Sequence, residues 1–209
     1  MNFRLHVEKE GIRRSLFLSE LQTLTQALYI PSLEFIDPST KEELIRRGER
    51  LRKRGEMTLE QIWLGNYYKK ELESFHIPPL ELRWIDPTLG WGVFAAKDFK
   101  KREFVAEYSG LVRKRKKEDN KNSYCFEYVS AEGHPTPYII DARDQGGVSR
   151  YINHSSSPNL TPALATLDHI THIVLFAKES IAKGSQLTYD YGPGYWAHRT
   201  PPLINSASF

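Results

Sequence analysis

The chain has one cysteine, Cys125, among 209 residues. A lone thiol closes no disulfide within the chain and cannot build a cysteine-rich zinc site. No run approaches the roughly 18 consecutive apolar residues that a membrane-spanning helix needs. The first residues, Met1–Gly11, are charged and carry no apolar stretch of the kind a secretory signal contains. The long glycine-rich turn of a Rossmann nucleotide site is missing, as are internal repeats and low-complexity tracts. A soluble protein of the intracellular type, without metal, is the expectation. The formal net charge of +3 is too small to argue by itself for nucleic acid, and no direct nucleic-acid site is evident.

What is present divides unevenly. Hydrophobic residues reach 40%, enough for a sizeable core, and tyrosine alone contributes 11 residues. Residues 1–80 carry leucines at helical spacing (Leu16, Leu18, Leu21, Leu24, Leu28), then a helix start at Ser39–Glu42. A further helical pattern runs through Leu44, Leu51, Leu59 and Trp63, interrupted near Gly55, and Pro78-Pro79 closes this part. After Leu80 the pattern becomes short strands with β-branched or aromatic residues, punctuated by Gly and Pro. The prediction is an α+β, mainly β protein: a helical region over 1–80, a compact β domain over 81–196 and a tail over 197–209. The basic run Arg113–Lys117 reads as a solvated loop and Arg46–Arg54 as a solvated helix face.

Four motifs hold most of the residues able to do chemistry. Gly90-Trp91-Gly92 lies beside a turn, and its glycines admit close backbone approach. Glu107-Tyr108-Ser109-Gly110 ends an apolar strand. Arg150-Tyr151-Ile152-Asn153-His154-Ser155-Ser156-Ser157-Pro158-Asn159 packs small polar residues around one histidine. That histidine has no ligand partners at metal spacing, and no glycine elbow flanks the serines to make a nucleophile. Leu187-Thr188-Tyr189-Asp190-Tyr191-Gly192 ends a strand with a tyrosine pair. Each is ambiguous alone: a hairpin turn, a packed tyrosine and a polar loop would look the same.

Their order is not ambiguous. GWG, EYSG, RYINHSSSPN and LTYDYG, with Ser123-Tyr124 and Asp141-Ala142-Arg143 between them, resemble the SET domain of protein lysine methyltransferases. Small bacterial SET proteins of chlamydia-like intracellular organisms look most similar. The resemblance implies small curved sheets with a C-terminal pseudoknot, the last strand threading beneath the Asn153 segment. It also implies S-adenosylmethionine as cofactor. Gly90, Trp91 and Gly92 would contact it through backbone atoms. Asn153 and His154 would hold its amino group and adenine, with Arg150 and Tyr124 along the same pocket and Trp196 closing over the adenine. Tyr191 would be the catalytic tyrosine, Tyr108 a wall of the lysine channel, and Tyr189 the position that limits how many methyl groups are added. Asp190, on the opposite face of the strand by alternation, reads as structural.

The implied partner is a basic protein, histone or histone-like, with a non-histone target or a catalytically inactive binding module as rivals. A homodimer is plausible, because Ser156 replaces a frequent family cysteine and no cysteine cluster flanks the domain to brace a zinc-bound lid. The lid must then come from Tyr195–Phe209, a second subunit or the substrate. For a protein from an intracellular bacterium, the resemblance extends to delivery into the host cell and nucleus.

Overall fold

The structure, a computed structural model, describes residues 4–197 and residue 199. It opens with a hairpin of β1 (Arg4–Lys9) and β2 (Ile12–Phe17), then helix α1 (Leu18–Thr25). Strands β3 (Leu28–Tyr29) and β4 (Glu34–Phe35) precede helices α2 (Pro38–Lys53), α3 (Leu59–Tyr67) and α4 (Lys69–Glu73). Next come β5 (Leu80–Asp86), β6 (Gly90–Ala95), β7 (Phe104–Glu107), β8 (Gly110–Lys114), β9 (Cys125–Ala131) and β10 (His134–Gly146). The two-residue strand β11 (Asn153–His154) follows, then the hairpin β12 (Leu160–Leu167) and β13 (Ile170–Ala177), strand β14 (Thr188–Tyr189) and the short helix α5 (Pro193–Trp196). The architecture is mainly β, in small sheets.

The strands form separate small sheets in the orders β2-β1-β5-β6, β3-β10-β8-β4, β12-β13-β7 and β11-β14, with β9 also paired to β10. The largest core cluster lies between them and contains Leu5, Leu82, Val93, Leu175 and Leu187. Tyr189 belongs to this same cluster, so the tyrosine motif at the end of the chain is anchored in the core.

The stretch before residue 80 is not uniformly helical. Leu5 and Val7 are buried while Arg4 and His6 are exposed, the period of a strand with one buried face. Glu10 and Gly11 both adopt positive φ (54° and 78°), the backbone of a tight hairpin turn. The resulting β1 adds in parallel to β5, and so joins residues beyond 80 in one sheet. Leu16 lies on β2 and Leu28 on β3, leaving only Leu18–Thr25 helical in the leucine repeat.

The later helices obey local signals. Asp37 caps α2 by accepting from the Thr40 N–H at 2.7 Å, Pro38 opens the helix, and Arg50, Arg52 and Lys53 fill its last turn. Thr58 caps α3 by accepting from the Gln61 N–H at 3.1 Å. Glycine lets both helices approach the sheet: a Cβ on Gly48 would lie 2.1 Å from the His169 carbonyl oxygen, and one on Gly65 1.9 Å from that of Thr166.

The basic run departs from a solvated loop. Arg113 and Lys114 belong to β8. The Arg113 guanidinium is clamped between Asp119 and Asp141, with 2.6 Å to each carboxylate. Its bonds hold the Asp119 carboxyl down to about 2. Arg115 pairs with Glu127 at 2.7 Å. Carboxylates distant in sequence thus convert part of the run into a brace for β8 and β10.

Candidate active site

The site is assembled by one strand gripped from both sides. The Leu187 N–H donates to the Val93 carbonyl at 2.8 Å, and Phe94 bridges Gln186, so this segment runs beside β6. One residue later it turns to β11, with Asn153 opposite Thr188 and His154 opposite Tyr189 in a parallel pair. Asn159 fixes the junction: its side-chain amide donates to the Gln186 carbonyl at 2.8 Å, and its oxygen accepts from the Thr188 N–H at 2.9 Å. This is the expected knot, and it brings the first, third and fourth motifs together.

The contacts are specific. Asn153 Nδ2 donates to the Trp91 carbonyl at 3.3 Å. A Cβ on Gly92 would lie 3.3 Å from that same Nδ2, 3.0 Å from Gln186 Nε2 and 2.6 Å from Ile85 Cδ1. Glycine at position 92 thus leaves room for Asn153, Gln186 and Ile85 to close on β6, and a larger residue would have to push these side-chain ends aside. Gly90, at φ 71°, makes the turn into the strand. His154 Nδ1 accepts from the Tyr191 N–H at 3.3 Å, which leaves Nε2 as the ring's donor. The Tyr191 hydroxyl donates to the Ile152 carbonyl at 2.9 Å. Asp190 faces solvent and accepts from the Gly192 N–H at 2.9 Å, in keeping with a structural role.

The aromatics form a chain. Tyr108 lies 5.2 Å from Phe126, Phe126 6.5 Å from Tyr189, Tyr189 4.8 Å from Tyr191, and Tyr191 4.6 Å from Tyr195, centroid to centroid. Trp196 continues it, 4.8 Å from His154. Tyr108, Phe126, Tyr189, Tyr191 and Tyr195 border a cavity of about 240 Å³, with Arg150 on its wall. Burial pushes the Tyr108 and Tyr189 hydroxyls well above the ordinary tyrosine value, and raises that of Tyr191. All three stay neutral and keep their O–H donors across the physiological range.

Arg150 is buried with its guanidinium stacked on Tyr124 (4.2 Å) and Tyr151 (4.8 Å). It donates to the Arg143 carbonyl at 2.6 Å and to the Tyr151 hydroxyl at 2.7 Å. Its Nε has no hydrogen-bond partner among the described residues. Tyr124 is 37% exposed and does not border the aromatic cavity; Arg150 stacks on it, and its proximity helps raise the Tyr191 hydroxyl. The lid expected from Tyr195–Phe209 falls mostly outside the described residues. Within them, Arg199 stacks on Tyr195 at 4.2 Å and donates to the Asn122 carbonyl at 2.9 Å.

Two contributors carry no signal of their own in the sequence. Phe126 lies two residues after the Ser123-Tyr124 pair, yet only the fold reveals it as the bridge between Tyr108 and Tyr189. Asn159 closes the NHSSSPN motif, but its clamp on Gln186 and Thr188 spans separations of 27 and 29 residues that the motif does not record.

Comparison with known proteins agrees with this geometry. Residues 90–192 match the SET-domain family, and the chain carries a SET domain. Histone-lysine N-methyltransferase Set8 of Drosophila pseudoobscura pseudoobscura is 39% identical over 157 residues, covering 71% of this chain and 22% of that protein. Histone-lysine N-methyltransferase EHMT1 of Mus musculus is 37% identical over 114 residues, covering 52% of this chain and 9% of that protein. Among solved structures, an active polycomb repressive complex 2 in the basal state superposes with a TM-score of 0.50 at 27% identity, over 58% of this chain and 16% of that one. The chain therefore spans only a small part of the length of these relatives. No helix among the described residues is long and apolar enough to cross a membrane.

Proposed function

We propose that the chain transfers methyl groups from S-adenosylmethionine to lysine side chains of basic proteins, histones or histone-like proteins first among them. The observation that carries this reading is the placement of Tyr191. The knot holds it against His154 and Ile152 while its ring borders the aromatic cavity.

The residues present fit such a cofactor. Gly92 leaves backbone, not side chain, facing Asn153, and Gly90 makes the turn beside it. The Trp91 carbonyl and the Asn153 amide offer an acceptor and a donor to an amino acid moiety. His154 and Trp196, 4.8 Å apart, offer faces to a planar base. Arg150 keeps one buried N–H without a partner among the described residues. When bound, the cofactor supplies an electrophilic methyl group on a sulfonium.

The protein's part is to deliver a neutral amine in line with that methyl. A free lysine, with a pKa of about 10.4, is protonated at neutral pH and is not nucleophilic. Tyr108, Phe126, Tyr189 and Tyr191 make a narrow aromatic passage that strips water from the amine and favours its neutral form. The same walls fix its direction, which replaces an encounter with a positioned attack. Buried tyrosine oxygens and backbone carbonyls around Ile152 accept weak CH···O contacts from a polarised methyl group. No carboxylate is required as base; Asp119 and Glu127, which also border this cavity, are paired with Arg113 and Arg115. Tyr189 carries a neutral hydroxyl in the passage. Such a hydroxyl holds water where an added methyl would sit, so the product is mono- or dimethyl-lysine.

The test is calorimetric binding of S-adenosylmethionine combined with transfer of its labelled methyl group to purified core histones and to a cell lysate. Binding with labelling of a basic protein is the expected result. Binding without labelling of any protein would leave an inactive binding module as the better reading.

A further inference from the structure

Helix α3 meets β12 at Thr166, where Gly65 approaches the Thr166 carbonyl and the Gln61 amide donates to Thr166 Oγ1 at 2.6 Å. Beside this contact lies a cavity of about 430 Å³, bordered by Thr58, Glu60, Gln61 and Leu64 of α3 and its cap and by Thr161–Leu164 of β12. Leu64, Phe126, Ile173 and Phe176 give it apolar lining. In its sheet β12 is the outer strand, so this stretch has no neighbouring strand beyond it among the described residues.

Two properties point to the occupant. Among the described residues, the charged groups bordering the cavity are Glu60 and Glu132, both exposed, and no Lys, Arg or His lines it. Glu60 has one distant cation, Arg102 at 3.9 Å, and Glu132 has no ion-pair partner among the described residues. In a chain of net charge +3, this is a locally acidic groove. Its other property is continuity: Phe126 lines this cavity and the aromatic cavity alike. One ring separates the passage of the target lysine from the groove.

We infer that the α3–β12 groove is a second substrate site, holding an extended, lysine- and arginine-rich segment of the protein whose lysine enters on the other side of Phe126. This deepens the function proposed above and rests on it. Thr161–Leu164 span about 13 Å at roughly 3.3 Å per residue, and because Pro162 offers no N–H the bound segment is held there by its side chains more than by a continuous backbone ladder. The apolar floor takes side chains on one face of such a segment, and Glu60 and Glu132 take the cations on its rim. Proteins with long basic tails are thereby favoured over peptides that hold the target lysine alone.

The test compares the full chain with a Glu60→Gln/Glu132→Gln double variant and with Ala163→Trp, which fills the groove. Thermal melting first verifies that each variant folds like the parent. Two readouts follow: methyl transfer to whole core histones against a short peptide trimmed around the modified lysine, and fluorescence anisotropy of a labelled, lysine- and arginine-rich histone-tail peptide. The inference expects both variants to raise KM for whole histones and weaken tail binding about five- to tenfold, the size two exposed ion pairs can supply. It expects kcat, and all constants for the short peptide, to stay unchanged. Parent-like behaviour of both variants with the long substrates, or an equal loss with the short peptide, would overturn it. Tail binding that depends on Glu60 and Glu132 in a chain that methylates nothing would instead overturn the catalytic reading and leave the groove standing.

Discussion

Both the helices before residue 80 and the knot around β14 need a glycine where backbones meet, but the approaches serve different ends. Gly48 and Gly65 let α2 and α3 sit on the carbonyls of His169 and Thr166. Nothing reactive lies at those contacts, and their effect is packing. Gly92 lets Asn153 reach the strand that carries Trp91, and through Asn153 the knot positions His154 and Tyr191. The same device stabilises a layer in one region and builds a binding edge in the other. Substitutions in the two regions should therefore separate stability from activity.

The largest effect belongs to Tyr191. Tyr191→Phe removes the hydroxyl bonded to the Ile152 carbonyl, and methyl transfer should fall by about 10²-fold or more with cofactor affinity retained. Calorimetry beside a transfer assay checks both halves. Next comes Gly48→Ala, whose Cβ meets a backbone carbonyl that cannot swing away. Denaturant melts should show a loss of about 1–3 kcal/mol. Transfer by the fraction still folded should be unaffected. Gly92→Ala meets mainly the flexible ends of Ile85 and Gln186, so its cost in stability should be smaller, about 1 kcal/mol. It should nonetheless weaken cofactor binding, the reverse of the Gly48 pattern. If Gly48→Ala lowered cofactor affinity and Gly92→Ala did not, the contrast between the regions would collapse.

A pH series sharpens the comparison at the brace between β8 and β10. The Asp119 carboxyl is held down to about 2 by Arg113, below the value of about 3.9 expected in the unfolded chain. Its stabilisation is fully present above pH 4 and is lost as pH falls toward about 2. The stability gap between the parent and Asp119→Asn should therefore be open at neutral pH and close by pH 2, as followed by melting temperature. Tyr189→Phe should have the mildest effect on rate and should shift the product toward higher methylation, read by mass spectrometry. An unchanged distribution would remove Tyr189 from control of the product.

These regions also differ in how far the amino-acid sequence discloses them. The site was legible because a methyl-transfer site in a SET domain depends on short stretches whose residue types are constrained together. Asn153, His154, Tyr189 and Tyr191 are displayed in order and meet as that order implies. Partners lying between the motifs were not legible. Phe126 closes the aromatic passage, and Asn159 clamps a strand far along the chain, through contacts that only the fold creates. Before residue 80, the helix start at Ser39–Glu42 and the periodicity through Leu44, Leu51, Leu59 and Trp63 disclosed α2 and α3, while the caps Asp37 and Thr58 emerged only with the fold. The β1–β2 hairpin was hidden because the leucines at 16 and 28 continue a helical spacing that strand pairing overrides. Arg113 looked solvated because its partners, Asp119 and Asp141, are separated from it by 6 and 28 residues.

The central claim is that the knot sets Tyr191 beside a lysine passage in a methyl-transferring site. Incubation of the chain with deuterium-methyl-labelled S-adenosylmethionine and purified core histones, followed by mass-spectrometric mapping of lysines, tests it most directly. The account predicts labelled mono- or dimethyl-lysine at defined histone positions with the parent chain, and its near-complete loss with Tyr191→Phe. Labelled lysines of equal abundance with the parent and Tyr191→Phe, or none with a parent chain that binds the cofactor, would contradict it.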